Sequence, residues 1–457
     1  MMILAAYPLS ADPSSSMALS LREAEVLALR SSDALRIQEL QGEAAEERYR
    51  LGIRDYLPQL QLGFTTSGTV NAAAPDSACD ELSMTLQQPI YNGGRTARQR
   101  ALARLEIQLS RHAYRAARAD ALATAWDQFY QVLVLEAQLA VKQRYLAQSR
   151  SQLEIARTER SLGMIREIDL VDTELQATNQ EIDMRLTESE LLSARFTLKK
   201  TLGLSPDQEL ALAETIDADY EGMAIDTPPS FLLRMAEGGN LDLQTARFRV
   251  SQAEAQASLA KSRYLPQVSA TLTLSVSGEG LPLQTPGLSL GFAIAFPESE
   301  APARASLSRG VTASRSTTRN ESLTVNPLQS VTGFLDETDA RLELAAARSA
   351  AAALRKDLAF QIAQGISGYS RQQQSTRLER RSIELERRKL QVMNREVESG
   401  AATRVDCVKE ESIAADLEAR HLASILTLLR NERSLERLLG LDPGELARIE
   451  GHYHETR

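Results

Sequence analysis

The chain has 457 residues, with 52 basic and 61 acidic side chains and a net charge of −9, so no net basic surface is implied and no nucleic-acid partner is expected. Its 15 prolines avoid 90–205 and 328–442 altogether, windows dominated by Ala, Leu, Glu, Arg and Gln, which suits long packed helices better than a thick globular core. Cys79 and Cys407 lack metal-ligand spacing, and no run of about 18 apolar residues could form a membrane-spanning helix.

Residues 1–19 read as a residual signal peptide or a disordered N-terminus, because Met2-Ile3-Leu4-Ala5-Ala6 has the apolar tail of a leader without its cationic start. A helix is predicted over about 20–55, with Leu21, Ala24, Ala28, Leu35, Ala45 and Leu51 among its apolar positions. At Tyr56-Leu57-Pro58-Gln59 the apolar period changes from about 3.6 to 2. Strands follow at 58–68 and 81–88, making a hairpin over 57–91 that stops at Gln88-Pro89-Ile90-Tyr91-Asn92-Gly93-Gly94-Arg95. A long helix is predicted over 96–160, a break at Ser161-Leu162-Gly163, and a second helix over 166–202 ending at Leu202-Gly203-Leu204-Ser205-Pro206. Residues 205–230 read as an irregular, acidic linker.

The cycle then restarts. After a helix from near Pro228-Pro229 comes Tyr264-Leu265-Pro266-Gln267, 208 residues beyond the first copy, and a second hairpin over 265–297 with strands at 267–277 and 288–296. Pro297 is the counterpart of Pro89. A long helix over 336–398, a break at Ser399-Gly400 and a helix over 404–439 end at Leu439-Gly440-Leu441-Asp442-Pro443. These landmarks match the first half at an offset of 237, so an insertion of 29 residues lies in the second half. It is read as a flexible polar extension at 298–330. The halves are thus repeats at 20–204 and 231–441, followed by a tail at 442–457 whose His452-Tyr453-His454 is not expected to bind a metal.

The four predicted strands carry no charge within 59–69, 82–88, 267–277 or 288–296, with an aliphatic and aromatic face opposite one of Gln, Ser, Thr, Gly and Ala. About ten such residues is the length and pattern of a transmembrane β-strand. A soluble sandwich shows the same alternation. Four strands cannot close alone, and open edges are not tolerated in lipid, so the membrane reading requires several copies to share one barrel.

In the order and duplication of these features the chain resembles the TolC-type outer-membrane efflux proteins over about 20–443. The features are the paired Tyr-Leu-Pro-Gln segments, the Asn-Gly-Gly turn, Gly163 and Gly400 with Asp169 and Asp406 six residues on, and the Leu-Gly-Leu-(Ser/Asp)-Pro stops. The resemblance implies a mainly α chain with membrane β: four strands per protomer in a 12-stranded homotrimeric barrel in outer-membrane lipid, continued by a helical tube in the periplasm. It implies as partners a periplasmic adaptor and an inner-membrane transporter, and it implies no active site and no cofactor. Tyr56, Pro58, Tyr264 and Pro266 would stand at the barrel entrances, and Pro89, Gly93, Gly94 and Pro297 at its exits. Gly163 and Gly400 would turn the chain at the periplasmic tip, which opens when the adaptor docks. Asp169, Asp172 and Asp406 would line its constriction, with Lys409 standing where a further acid would match Asp172. Asp169 and Asp406 also suit a plain helix-start role.

Trp126, Phe129 and Tyr130 at helical spacing are expected to be core. No phosphate loop, nucleophile elbow or paired catalytic acids occur, so an enzyme is not expected. The expected function is the passive exit duct of a tripartite efflux or type I secretion system. The alternative is a coiled-coil structural or interaction protein whose hairpins form a soluble sheet.

Overall fold

The computed structural model describes residues 17–69, 77–262, 264–296, 302–312, 316–325, 332–399 and 401–455. In chain order its elements are β1 (Met17–Leu19), α1 (Leu21–Ser31), α2 (Asp33–Leu51), β2 (Gln59–Thr69), β3 (Ser77–Asn92), α3 (Arg95–Ser161) and α4 (Glu167–Leu202). Then come β4 (Leu210–Leu212), α5 (Pro229–Gly239), α6 (Leu241–Ser262), β5 (Gln267–Gly278), β6 (Thr285–Phe296), β7 (Ala303–Thr312) and β8 (Thr317–Val325). Last are α7 (Thr332–Glu398), α8 (Arg404–Leu439) and α9 (Glu445–Glu455). They belong to two units, one comprising Arg115–Leu241, Arg355 onwards and the chain up to Ile37, the other Gln38–Tyr114 and Asp242–Leu354.

The first unit is helical. Its main core joins Ala24 and Ala28 of α1, Ala125, Phe129, Val132, Leu133 and Leu135 of α3, and Leu191, Leu198 and Leu202 of α4. Phe129 and Trp126 are buried, as core residues should be. Helix α3 is 67 residues long and α4 36; α7 and α8 repeat those lengths. At 1.5 Å per residue the longer pair each span roughly 100 Å. Gly203 and Gly440 both end their helices in the left-handed region, and Leu204 and Leu441 each donate a backbone N–H five residues back, at 2.9 Å.

Two expectations about this unit are corrected. The helix predicted over 20–55 breaks at Ser32, whose extended backbone ends α1, and whose hydroxyl accepts the Leu35 N–H as α2 begins. The linker is not wholly irregular: Leu210–Leu212 pairs in parallel with Met17–Leu19, a three-residue ladder too short to register as periodicity. Beyond α8, α9 buries Leu446 and turns the Glu450 carboxylate onto the Asp226 and Thr227 backbone amides.

The second unit holds a wholly antiparallel sheet of order β2-β3-β5-β6-β7-β8. It corrects the expectation of four strands. Where a flexible extension was predicted, β7 and β8 form a hairpin paired with β6. Pro89 does not stop its strand either. β3 runs on to Asn92 by way of a bulge at Ile90, which lets the missing proline N–H go unpaired without ending the ladder.

Candidate functional site

Alternation gives the sheet two unlike faces. One row crosses all six strands as Leu60, Leu86, Leu272, Leu290, Arg309 and Arg319. The adjacent row reads Leu62, Met84, Leu274, Leu288, Val311 and Thr317. On the opposite face Gln61, Thr85, Thr273, Ser289, Gly310 and Thr318 are aligned. It is the apolar face that stands open: Leu62 is 71% exposed and Phe64 60%, whereas Gly291 and Ala293, on the polar face of β6, are buried. A soluble sheet buries the other way round. The polar face is also crowded, because a Cβ placed on Gly291 would come within 2.7 Å of the Thr271 hydroxyl.

The chain enters and leaves this sheet through paired turns. Pro58 and Pro266 each stand immediately before a strand, where neither owes the ladder an N–H. Tyr56 closes a single 3₁₀ turn, and its carbonyl accepts the Gln88 side-chain amide at 3.1 Å. Gly93 and Gly94, both left-handed, turn β3 into α3. A Cβ on Gly93 would lie 2.8 Å from both the Leu265 Cβ and the Ser262 carbonyl, so the first exit is packed against the second entrance beside Tyr264. Pro297 lies outside the described residues.

In the helical unit, Gly163 (φ 75°) ends α3, and Met164 donates back to the Glu159 carbonyl at 2.9 Å. Gly400 lies outside the described residues, but Ala401 donates to the Glu396 carbonyl at 2.8 Å in the same manner. Asp169 is the third residue of α4. It accepts the Arg166 backbone N–H at 3.3 Å and the Arg166 guanidinium at 2.8 and 3.0 Å. Those bonds hold its carboxyl below the usual carboxylate range. Asp406 plays the equivalent part in α8, bonded reciprocally with Thr403 in a capping box. Both acids therefore serve their helix starts. Asp172 is half-exposed one turn on, and Lys409 is exposed.

Three polar contacts in this unit leave no trace in the sequence. Arg404 grips Glu159 with two bonds of 2.8 and 2.6 Å and reaches Gln152 at 2.8 Å. Glu418, buried on α8, is ion-paired to both Arg144 and Arg387 and accepts the Tyr145 hydroxyl, which is pushed up to about 12 by burial and then by that carboxylate. Glu432 takes hydroxyl bonds from Tyr220 and Tyr369, raising both phenols through burial and those bonds. Each of the three joins partners more than 200 residues apart, which local pattern cannot pair.

The profile of the outer membrane efflux protein family matches residues 26–204 and 232–441. The chain belongs to that family. Outer membrane efflux proteins are passive channels, not enzymes. The gap in the match, 205–231, coincides with the linker between the repeats. Among solved structures of similar fold is CusC, in work on folding and transmembrane channel formation, at 16% identity and a TM-score of 0.75 over 92% of each chain. The Campylobacter jejuni CmeC outer membrane channel gives 11% identity and a TM-score of 0.74 over 94% of this chain and 88% of its own. The open state of the Neisseria gonorrhoeae MtrE outer membrane channel gives 16% and 0.72 over 92% and 89%. At these identities the likeness establishes the fold. No curated protein sequence matches the chain.

Proposed function

We propose that this outer membrane efflux protein is the exit duct of a tripartite efflux or type I secretion system. A homotrimer places β2, β3, β5 and β6 of each copy in a shared 12-stranded barrel in outer-membrane lipid. The long helices continue it as a tube in the periplasm. A periplasmic adaptor joins that tube to an inner-membrane transporter, which supplies the energy, and the duct itself is passive.

The observation that carries this reading is the exposed apolar face of β2, β3, β5 and β6, whose one charge, Asp80, stands at the end of the band, and which is backed by a crowded polar face. Lipid satisfies such a face and water does not. The remaining site residues take their roles from it. Tyr56, Pro58, Tyr264 and Pro266 mark the barrel entrances, and Pro89, Gly93, Gly94 and Pro297 the exits. Gly163 and Gly400 form the tip turns, where Asp169, Asp172, Asp406 and Lys409 border the constriction. Lys409, standing where a further acid would match Asp172, argues against a strongly cation-selective opening.

Fractionation tests the reading. The protein is expected in the outer membrane as a trimer, and its deletion is expected to raise sensitivity to toxic compounds. Recovery of the native protein solely as a soluble monomer would overturn it.

A further inference from the structure

The hairpin β7–β8 matches the strands beside it in backbone pairing and not in chemistry. Its inward residues Ser306, Ser308, Gly310 and Thr312 continue the polar face, and Ser306 and Ser322 share a hydrogen bond of 2.7 Å. Its outward residues include Arg309 and Arg319, directly opposite each other and aligned with Leu290, Leu272, Leu86 and Leu60. Glu321 lies one row away, aligned with Leu307 and Phe292, and is ion-paired to Arg319. Three charges therefore interrupt the middle of an apolar band that is otherwise continuous from β2 to β6. Hydrocarbon penalises arginine most at mid-depth, and like charges facing across a strand pair repel.

In water the same features are an advantage. All nine residues of β8 are exposed, and it is the outermost strand. A polar edge strand bearing an Arg–Glu pair is the usual protection against indiscriminate edge-to-edge pairing. Without the whole hairpin, the apolar β6 would be the open edge.

The other edge of the sheet is β2. Counting alternations along the antiparallel order, β2 and β7 run in the same direction. They are 11 and 10 residues long, and both alternate in the same sense. β2 differs where it matters to lipid, presenting Leu60, Leu62 and Phe64 outward with no charge. Either strand can give β6 its antiparallel ladder; the surrounding medium decides between them.

We propose that β7–β8 is a displaceable edge guard: it occupies the β6 edge in the unassembled protomer and yields that edge to β2 of a second copy of this chain in the membrane. The inference rests on the barrel reading above. It assigns the insertion a task in assembly, and it keeps Arg309, Arg319 and Glu321 out of the lipid-facing wall.

A reversible lock tests it. In the full-length protein carrying Cys79→Ser and Cys407→Ala, one cysteine pair is introduced across β6 and β7, either Phe292→Cys with Leu307→Cys or Ala293→Cys with Ser306→Cys. Adjacent pairs alternate between the two antiparallel spacings, so one of them suits a disulfide. The expected result is loss of outer-membrane trimer under oxidising conditions and its recovery on reduction. A second variant lacking 302–325 should still form trimer. If the oxidised pair assembles as well as the reduced one, β7 and β8 are permanent wall strands and the guard is overturned. If the unlocked parent itself never reaches the membrane as an oligomer, it is the barrel reading that fails.

Discussion

Arg404, the first residue of α8, and Glu159, two residues before the end of α3, form a forked ion pair with both partners mostly buried. It ties the start of the second short helix to the end of the first long one across 245 residues of sequence. Fork geometry and partial burial make this pair worth more than a surface bridge. Arg404→Gln is expected to destabilise the helical unit by roughly 1–3 kcal/mol, read by thermal or denaturant unfolding. The hydrogen bond from Arg404, with its charge, holds the Glu159 carboxyl below its ordinary 4.5. Its contribution is therefore present above pH 4.5 and lost as the pH falls through the depressed value, a dependence the variant should lack. If the two turns border the channel's constriction, the variant's single-channel conductance in planar bilayers should rise; an unchanged conductance would leave Arg404 a purely structural clamp.

Glu411 predicts the opposite pH trend. It is 4% exposed; the Cys407 thiol lies 4.0 Å from one of its oxygens, and the Ser149 hydroxyl, 3.0 Å from the other, also lies 2.7 Å from the Gln180 carbonyl oxygen. One hydroxyl proton cannot serve both acceptors; a protonated Glu411 resolves the conflict by donating to Ser149. Burial raises this carboxyl from 4.5 to about 6. The folded state then holds its proton more tightly than the unfolded chain. That stabilisation is complete below pH 4.5 and disappears as the pH rises through about 6. Glu411→Gln should match the parent at pH 4 and exceed it by about 2 kcal/mol at neutral pH. Equal stability at both ends of the range would refute the assignment.

Two glycines with nearly equal backbone angles should respond differently to alanine. Gly163 (φ 75°) has nothing within 4 Å of a prospective Cβ, so Gly163→Ala carries only the left-handed penalty of about 1–2 kcal/mol. Gly440 (φ 72°) would place its Cβ 2.1 Å from the Gly239 carbonyl carbon. Gly440→Ala must displace α5 from the end of α8 and should lose several kcal/mol more, or fail to fold. Parallel melts of the two variants make the comparison.

Outward arginines test the sheet. Phe64→Arg or Leu274→Arg puts a charge on the exposed apolar face, where lipid would penalise it by about 2–4 kcal/mol near mid-depth, and membrane assembly should fall. A water-facing sheet would tolerate both, and normal yields of membrane trimer would contradict the lipid assignment.

Much of this architecture was legible in the sequence because its signals are local. Pro58 and Pro266 mark strand starts at the point where the period changes, and Gly203 and Gly440 mark helix ends that only a left-handed residue closes. The hairpin β7–β8 escaped because Arg309, Arg319 and Glu321 break its apolar alternation and leave a Ser- and Thr-rich stretch that reads as loop. The bulge at Ile90 escaped because proline ordinarily ends a strand, and here the ladder reforms beyond it. For Asp169 and Asp406, sequence left two roles open; the structure supplies the helix-start bonds, which depend on side-chain geometry. Arg404 with Glu159, and Glu432 with its two tyrosines, needed the tertiary fold before they could be paired at all.

The polar face of the sheet carries charge only near its two ends, Glu81 on β3 and Arg304 on β7. Between them stand hydroxyls, glutamine amides, alanine and bare glycine backbone. A solute moving along such a surface trades one neutral hydrogen bond for another of similar strength and meets no fixed ion at which to stall. In the proposed barrel this face would be a lubricated lining, indifferent to the cargo's sign, and any sorting by charge would have to happen before the cargo arrives there.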